Sequence, residues 1–246
     1  MRSPQKKGIK PLIKMSKIIK KRINELKKDI YISIGENCLS DDILSRNNLK
    51  SFSSPFSSGR SNIEYILAFE KENYADILNP EFLLYESDGN KKVARNKKYV
   101  SVENRYNESC MNGLEFTHHD IINDENVRER IKVRINRMLG LKNKRIVMLY
   151  HHRKCDDTDM QLLIHHLSEL SSIYESRNNK VRIYLYYQII VMDQEQRHVE
   201  YYRERNVYVF KFYTLKEWAG ENQDVFWARC DDDMLKTMIE RIKIDR

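Results

Sequence analysis

Short apolar segments alternate with amphipathic helical patterns along most of the chain. Four apolar runs are typical of buried strands: residues 30–34, 146–150, 181–187 and 207–212. Apolar residues that recur every three or four positions predict helices over residues 62–72, 124–139, 158–176 and 229–243. Because alternating strands and helices favour a mostly parallel sheet with helices on both faces, we expect a three-layer, Rossmann-like α/β fold.

Two regions depart from this regular alternation. Residues 79–113 are polar and irregular, with short strand candidates at 82–85 and 99–102. Residues 9–28 carry apolar side chains at helical spacing with lysines and arginines between them, which predicts a basic amphipathic helix. We therefore divide the chain into a basic helical extension, residues 1–28, and a single α/β domain, residues 29–246. The domain has two halves, residues 29–140 and residues 141–246.

The positive charge of the chain is concentrated in the extension. The 246 residues include 44 Lys and Arg and 36 Asp and Glu, a formal net charge of +8. Residues 1–28 contain 11 basic residues and one acid, so this segment carries +10 and the rest of the chain carries −2. A nearly neutral body makes nucleic acid an unexpected partner. The extension instead fits peripheral contact with an anionic membrane, or a solvated helix that improves solubility.

The cysteines and the hydropathy pattern favour a cytoplasmic protein. Four cysteines are widely spread without a CxxC pair, so we expect reduced thiols and no disulfide framework. No stretch reaches the roughly 18 apolar residues of a membrane span. The basic N-terminal segment also lacks the apolar core of a secretory signal.

The first candidate for chemistry is Cys38, which lies in the turn Gly35-Glu36-Asn37-Cys38 between a predicted strand and helix. Ligands bind open α/β sheets at the carboxyl ends of the strands, where this turn lies. Helix-end amides would lower the pKa of the thiol and favour the nucleophilic thiolate. The same amides, with the Asn37 side chain, could hold an oxyanion, and Glu36 could contact substrate. The alternative is that Cys38 packs as a small apolar residue.

The second candidate is the cluster His118-His119-Asp120, which ends an alternating segment. A thiol nucleophile needs a base, usually histidine, and often a carboxylate that orients the histidine. Alternation directs the two histidines to opposite sides, so we expect only one of them to face Cys38. The other histidine is then structural.

A further pair, His151-His152, ends a predicted strand at the same sheet edge and is a candidate for substrate binding. Cys155 follows closely, but structural zinc sites normally show two ligand pairs and no second pair exists here, so we predict no metal. The GxxxxGK[ST] and GxGxxG patterns are also absent, which excludes the common nucleotide-binding loops. We expect no tightly bound cofactor.

Three segments together resemble a bacterial family of unknown function labelled "putative papain-like cysteine peptidase". They are residues 33–38 with the GENC turn, residues 49–56 with the Ser-Ser-Pro-Phe loop, and residues 116–120 with the doubled histidine. The resemblance covers roughly residues 29–245. It implies that Cys38 is the nucleophile, that His118 or His119 is the base, and that Asp120 is an orienting or structural acid. It also implies that Ser53, Ser54 and Pro55 shape the floor of the pocket.

The family label implies a peptidase, whereas the predicted parallel sheet is closer to esterases and to some capsule acetyltransferases. Members of the family are associated with surface-polysaccharide loci, which favours sugar modification. We therefore expect a cysteine acyltransferase or esterase that acts on a cell-surface polysaccharide or its precursor, with acetyl-CoA as a candidate acyl donor. The alternatives are a papain-like peptidase and a non-catalytic module that binds a glycan or a partner enzyme. For an enzyme of this kind, the basic extension would contact the inner face of the bacterial inner membrane.

Overall fold

A computed structural model describes residues 28–88, 91–100, 103–218 and 228–245. Apart from Lys28, the predicted basic helix and extension lie outside the described residues. Among the described residues, no helix is both long enough and apolar enough to cross a membrane.

The described chain forms five α-helices and eight β-strands. The helices are α1 (Leu39–Arg46), α2 (Ile63–Lys71), α3 (Glu125–Leu139), α4 (Met160–Glu175) and α5 (Asp232–Ile244). The strands are β1 (Asp29–Gly35), β2 (Leu83–Asp88), β3 (Lys91–Asn96), β4 (Leu114–Phe116), β5 (Arg145–His152), β6 (Lys180–Ile190), β7 (His198–Glu204) and β8 (Val207–Thr214). The four apolar runs and the four helical patterns of the sequence thus each coincide with an element of the predicted type.

The larger sheet has five strands in the order β1-β5-β6-β8-β7. Strands β1, β5, β6 and β8 are parallel, and β7 pairs antiparallel with β8 at the edge. The prediction of a mostly parallel sheet is confirmed. The Rossmann-like part of the prediction is not confirmed, because β1 lies at an edge and the strand order lacks the reversal that defines a doubly wound sheet.

Apolar side chains of the sheet form two clusters, as strand alternation requires. Ile32 of β1 belongs to a cluster that includes buried residues of α2, α3 and α4. Its neighbour Tyr31 belongs to the other cluster, which includes buried residues of α1 and α5. Helices therefore bury apolar surface against alternate residues of the same strands.

A second, smaller sheet contains the antiparallel strands β2, β3 and β4. The expectation of a strand at residues 99–102 was wrong. Tyr99 and Val100 lie outside any strand, residues 101–102 are outside the described residues, and the partner of β2 is instead β3. Only Val93 and Ala94 of β3 are buried apolar residues, so the sequence of this strand carried a weak hydrophobic signal.

Close backbone contact joins the serine-rich loop after α1 to strand β4. Arg60 and Glu115 exchange two backbone hydrogen bonds of 3.1 and 2.8 Å. A Cβ atom on Gly59 would lie 2.0 Å from the carbonyl oxygen of Glu115, so only glycine fits there. This contact brings the end of β4, and the histidine cluster that follows it, beside the turn after β1.

Candidate active site

Cys38 lies where the sequence predicted, in the tight turn between β1 and α1. Strand β1 ends at Gly35, whose φ of +135° is a conformation that glycine adopts readily. Cys38 is the N-cap residue of α1, and its carbonyl oxygen accepts a hydrogen bond from the backbone N–H of Asp42 at 3.0 Å. The thiol is half-buried.

The structure brings His118, rather than His119, to the thiol. The Sγ of Cys38 lies 4.0 Å from the Nε2 of His118. Both residues line a cavity of about 150 Å³, together with residues of the β1–α1 turn and the serine-rich loop and with Arg153, which follows β5. A thiol and an imidazole therefore meet at a small cleft, an arrangement compatible with thiol catalysis.

His119 contacts Ser58 instead of the thiol. Strand β4 ends at Phe116, so both histidines lie in the turn after it and the predicted strand alternation does not extend to them. The Nε2 of His119 is 2.9 Å from the Oγ of Ser58, and Arg134 donates to the same hydroxyl at 3.1 Å. Burial and the neighbouring positive charges of Arg134 and Arg130 lower the pKa of His119. We assign His119 a structural role.

Asp120 does not join the pair. Its carboxylate accepts hydrogen bonds from the hydroxyl of Tyr85 and from the backbone N–H groups of Ile122 and Asn123. These bonds lower the pKa of Asp120 and fix the turn after β4. Within the described part of the chain, the imidazole of His118 has one hydrogen-bond contact, the one to Cys38. The site is therefore a pair, without the orienting acid that the resemblance implied.

Asn37 presents an unused donor at the cavity. Its Oδ1 accepts from the backbone N–H of Leu39 at 3.1 Å and lies 3.3 Å from the Nδ1 of His151. These contacts fix which end of the amide carries the oxygen. The Nδ2 of Asn37 is buried and has no hydrogen-bond partner among the described residues. An amide donor beside the nucleophile is the group that an oxyanion hole requires.

His151 supports this turn rather than contacting solvent. Its ring is buried and stacks on Tyr186 with the ring centroids 5.0 Å apart. Burial and the adjacent charges of His152 and Arg153 lower the pKa of His151 to about 3, so the ring is neutral at physiological pH. A neutral Nδ1–H can donate to Asn37. The proposed substrate-binding role of His151 is replaced by a positioning role.

Glu36 and His152 form a buried pair beneath the turn. Both side chains are 0% exposed, and the Oε1 of Glu36 lies 2.6 Å from the Nδ1 of His152. Glu36 also accepts from the hydroxyl of Tyr150 at 3.0 Å and from the backbone N–H of Arg153 at 2.8 Å. These bonds use the carboxylate fully and tie the β1–α1 turn to the end of β5. Glu36 and His152, both predicted to contact substrate, thus have a structural function.

The two candidate serines of the serine-rich loop, Ser53 and Ser54, also lie away from the cavity lining. Ser54 is buried and donates to the backbone carbonyl of Ser33 at 2.7 Å, so it anchors the loop to β1. Ser53 is half-buried. The cavity beside Cys38 is lined by Gly59 and Arg60 of this loop, and neither Ser53 nor Ser54 is among its lining residues.

The expectation of an activated thiolate was wrong. Burial raises the pKa of Cys38 to about 11, and the nearby carboxylates of Asp41 and Asp42 add to this effect. The backbone N–H of Cys38 and the guanidinium of Arg60 oppose the rise but do not overcome it. The acidic first turn of α1 thus opposes the effect of the helix amides. Cys38 is therefore a neutral thiol at physiological pH.

This protonation state predicts a steep pH dependence of thiol reactivity. The alkylation rate of Cys38 by iodoacetamide should rise about tenfold per pH unit between about pH 8 and pH 10, because only the thiolate reacts. Glutathione serves as the control and should level off at lower pH. Peptide mapping by mass spectrometry separates Cys38 from the other three cysteines. A rate that is already constant above pH 8 would contradict the raised pKa.

Two arginines at the cavity were missed by the sequence interpretation. Arg60 and Arg153 both line it. Arg60 lies in the serine-rich loop, and Arg153 directly follows His151-His152. Arg60 lies 3.5 Å from Glu115, and Arg153 donates to Asn107 at 3.3 Å and to Glu217 at 2.7 Å. No sequence motif marks these two arginines, because the cavity that they line forms only when the serine-rich loop contacts β4.

The His152–Cys155 pair does not form a metal centre. Cys155 contacts Thr158 and the carbonyl oxygen of Asn104, whereas His152 binds Glu36 and Thr158. Among the described residues, no group of three or more His, Cys, Asp or Glu is arranged to hold a metal ion.

Comparison with family models shows where the chain belongs. The model described as "putative papain-like cysteine peptidase" matches residues 29–196, more than half of the chain. The protein is a member of this family. The match includes β1, the GENC turn, the serine-rich loop, the histidine cluster and β5, and therefore every residue of the Cys38 cavity. The comparisons with curated proteins and with solved structures gave no significant match.

Proposed function

We propose that this family member is a cysteine hydrolase that cleaves an acyl bond, in the first instance an amide or peptide bond. The observation that carries the proposal is the contact between the Cys38 thiol and the His118 imidazole at a cavity with an unused amide donor. The family description favours a peptidase over the acyltransferase that the sheet pattern suggested.

The proposed reaction begins with proton transfer from the Cys38 thiol to the Nε2 of His118 as the sulfur attacks the acyl carbon. The Nδ2 of Asn37 would donate to the oxyanion that forms. The intermediate collapses to a thioester on Cys38, and His118 returns the proton to the leaving amine. Water, deprotonated by His118, then hydrolyses the thioester and releases the acid.

The experiment that tests this function is a hydrolysis screen with peptide libraries and p-nitrophenyl esters. The wild-type protein should release product, and the Cys38→Ala variant should not. A Cys38→Ala protein with full activity in the screen would reject Cys38 as the nucleophile. If no substrate is turned over and C38A retains the biological activity of the chain, the protein is a binding module.

Transfer of an acyl group to a saccharide hydroxyl is the second candidate. It shares the thioester on Cys38 and differs only in the acceptor. Incubation with acetyl-CoA separates the two. An acetyl adduct on Cys38 that is discharged faster by added oligosaccharide than by water supports transfer, and discharge unaffected by saccharide supports hydrolysis.

Replacement of Asn37 tests its proposed role as a donor to the oxyanion. Replacement by alanine should lower kcat by about 10²–10³-fold with little change in KM, because the lost donor acts on the transition state. Asn123→Ala is the matched control, since its amide binds Asp120 and Tyr85 away from the cavity. A kcat for the Asn37 variant within threefold of the wild type would contradict the assignment.

The basic extension supports a proposal about location. Residues 1–28 carry eleven basic residues, and Lys28 lines a groove with Lys144 and Lys243 at the edge of the sheet where β1 begins. We propose a cytoplasmic protein that contacts anionic membranes peripherally through this end. Co-sedimentation with phosphatidylserine vesicles should depend on residues 1–27 and fall with salt. Equal sedimentation without these residues would reject the proposal.

A further inference from the structure

The cavity beside Cys38 is rich in hydrogen-bond donors and in positive charge. Arg60 and Arg153 line it, as does Asn37. The Nε of Arg153 and the Nδ2 of Asn37 are both buried without a hydrogen-bond partner among the described residues. Buried donors without acceptors are costly, and a ligand oxygen would satisfy them.

The carboxylate at the cavity is already engaged. Glu36 binds His152, Tyr150 and the backbone of Arg153. An incoming ligand therefore meets unused donors, and it gains most by presenting oxygens that carry negative charge.

The two arginines are also held in place. Glu217 and Asn107 fix the guanidinium of Arg153, and Glu115 lies beside that of Arg60. Glu115 is itself buried and bound closely by Arg95, so its charge is shared between two arginines. The charge of Arg60 reaches the thiol and lowers the pKa of Cys38, against the larger effects of burial and of the carboxylates of Asp41 and Asp42.

We propose that the acyl substrate carries a carboxylate close to the bond that is cleaved, and that Arg60 and Arg153 recognise this carboxylate. Guanidinium groups bind carboxylates through two parallel hydrogen bonds. The volume of about 150 Å³ suits a compact group such as an acidic side chain or a terminal carboxylate. The identity of the substrate rests on the proposed function, whereas the anion preference of the cavity does not.

A pair of alkylating reagents tests the anion preference without any turnover. Iodoacetate and iodoacetamide have the same reactive carbon, and only iodoacetate carries a charge. At pH 9, the ratio of their rates at Cys38, measured by peptide mapping, should exceed the ratio for glutathione by about tenfold, because the guanidinium groups of Arg60 and Arg153 at the cavity attract the carboxylate of iodoacetate. The ratio should fall as the salt concentration rises.

Variants locate the source of the preference. Arg60→Gln should lower the ratio by about tenfold towards that of glutathione, and Arg60→Lys should retain part of it. Arg203→Gln is the control, since Arg203 lies exposed on β7. A wild-type ratio equal to that of glutathione, an unchanged ratio in Arg60→Gln, or a Cys38 that neither reagent alkylates would each overturn the proposal. Failure of hydrolysis with the ratio intact would instead reject the proposed function alone.

Discussion

Replacement of His118 by alanine should lower kcat/KM by about 10²–10⁴-fold, because it removes the base that takes the proton from Cys38. The thiol has a pKa of about 11, so few molecules hold a thiolate near neutral pH without this base. Steady-state hydrolysis of the substrates found in the screen measures the effect. The activity of the variant should also rise with pH, as hydroxide replaces the missing base.

The neighbouring residues provide matched controls for this prediction. His119→Ala removes an adjacent imidazole that contacts Ser58, and Asp120→Asn removes a carboxylate that binds Tyr85. Both variants should retain kcat/KM within about threefold of the wild type. A loss in His119→Ala as large as that in His118→Ala would show that the geometry of the pair has been assigned to the wrong histidine.

Replacement of Glu36 should have the largest effect on stability. Glu36→Gln leaves the shape of the side chain but replaces one of the two carboxylate oxygens that accept from His152, Tyr150 and a backbone N–H. At least one buried donor then loses its acceptor, which costs about 1–3 kcal/mol, so the free energy of unfolding should fall by about this amount. Urea denaturation followed by circular dichroism measures the change.

Glu129→Gln is the control for this prediction, because Glu129 makes an exposed ion pair with Lys132. Its loss should change the free energy of unfolding by less than about 1 kcal/mol. A similarly small change in Glu36→Gln would mean that the buried pair does not hold the turn. Glu36→Gln should also lower activity, because the same turn carries Cys38.

The sequence predicted the main elements because their signals are local. A buried parallel strand such as β5 is a continuous apolar run, and a helix such as α3 shows one apolar face. Strand β7 has a weaker pattern, because it is an exposed edge strand in which Val199 and Tyr201 alternate with more exposed residues. The edge position of β1 was also unpredictable, since strand order depends on contacts between distant segments.

The same distinction between local signals and contacts of distant segments explains which site residues the sequence could predict. The turn that carries Asn37 and Cys38 follows from local sequence, as does the expectation that only one of His118 and His119 faces Cys38. The missing contact between Asp120 and His118 does not, because Asp120 could satisfy its oxygens within its own turn and with Tyr85. Glu36 and His152 looked like surface groups at a strand end, and only the fold shows that they pair in the interior. The raised pKa of Cys38 likewise depends on burial, which spacing does not report.

Trapping of the acyl-enzyme tests the central claim, that Cys38 is a nucleophile served by His118. The protein is mixed with p-nitrophenyl acetate, quenched with acid within the first turnover, and analysed by intact mass and peptide mapping. The account predicts one added acetyl group on Cys38, formed much more slowly in His118→Ala and absent in Cys38→Ala. A wild-type protein without acetyl on Cys38, or equal acetylation of the Cys38→Ala variant, would contradict it.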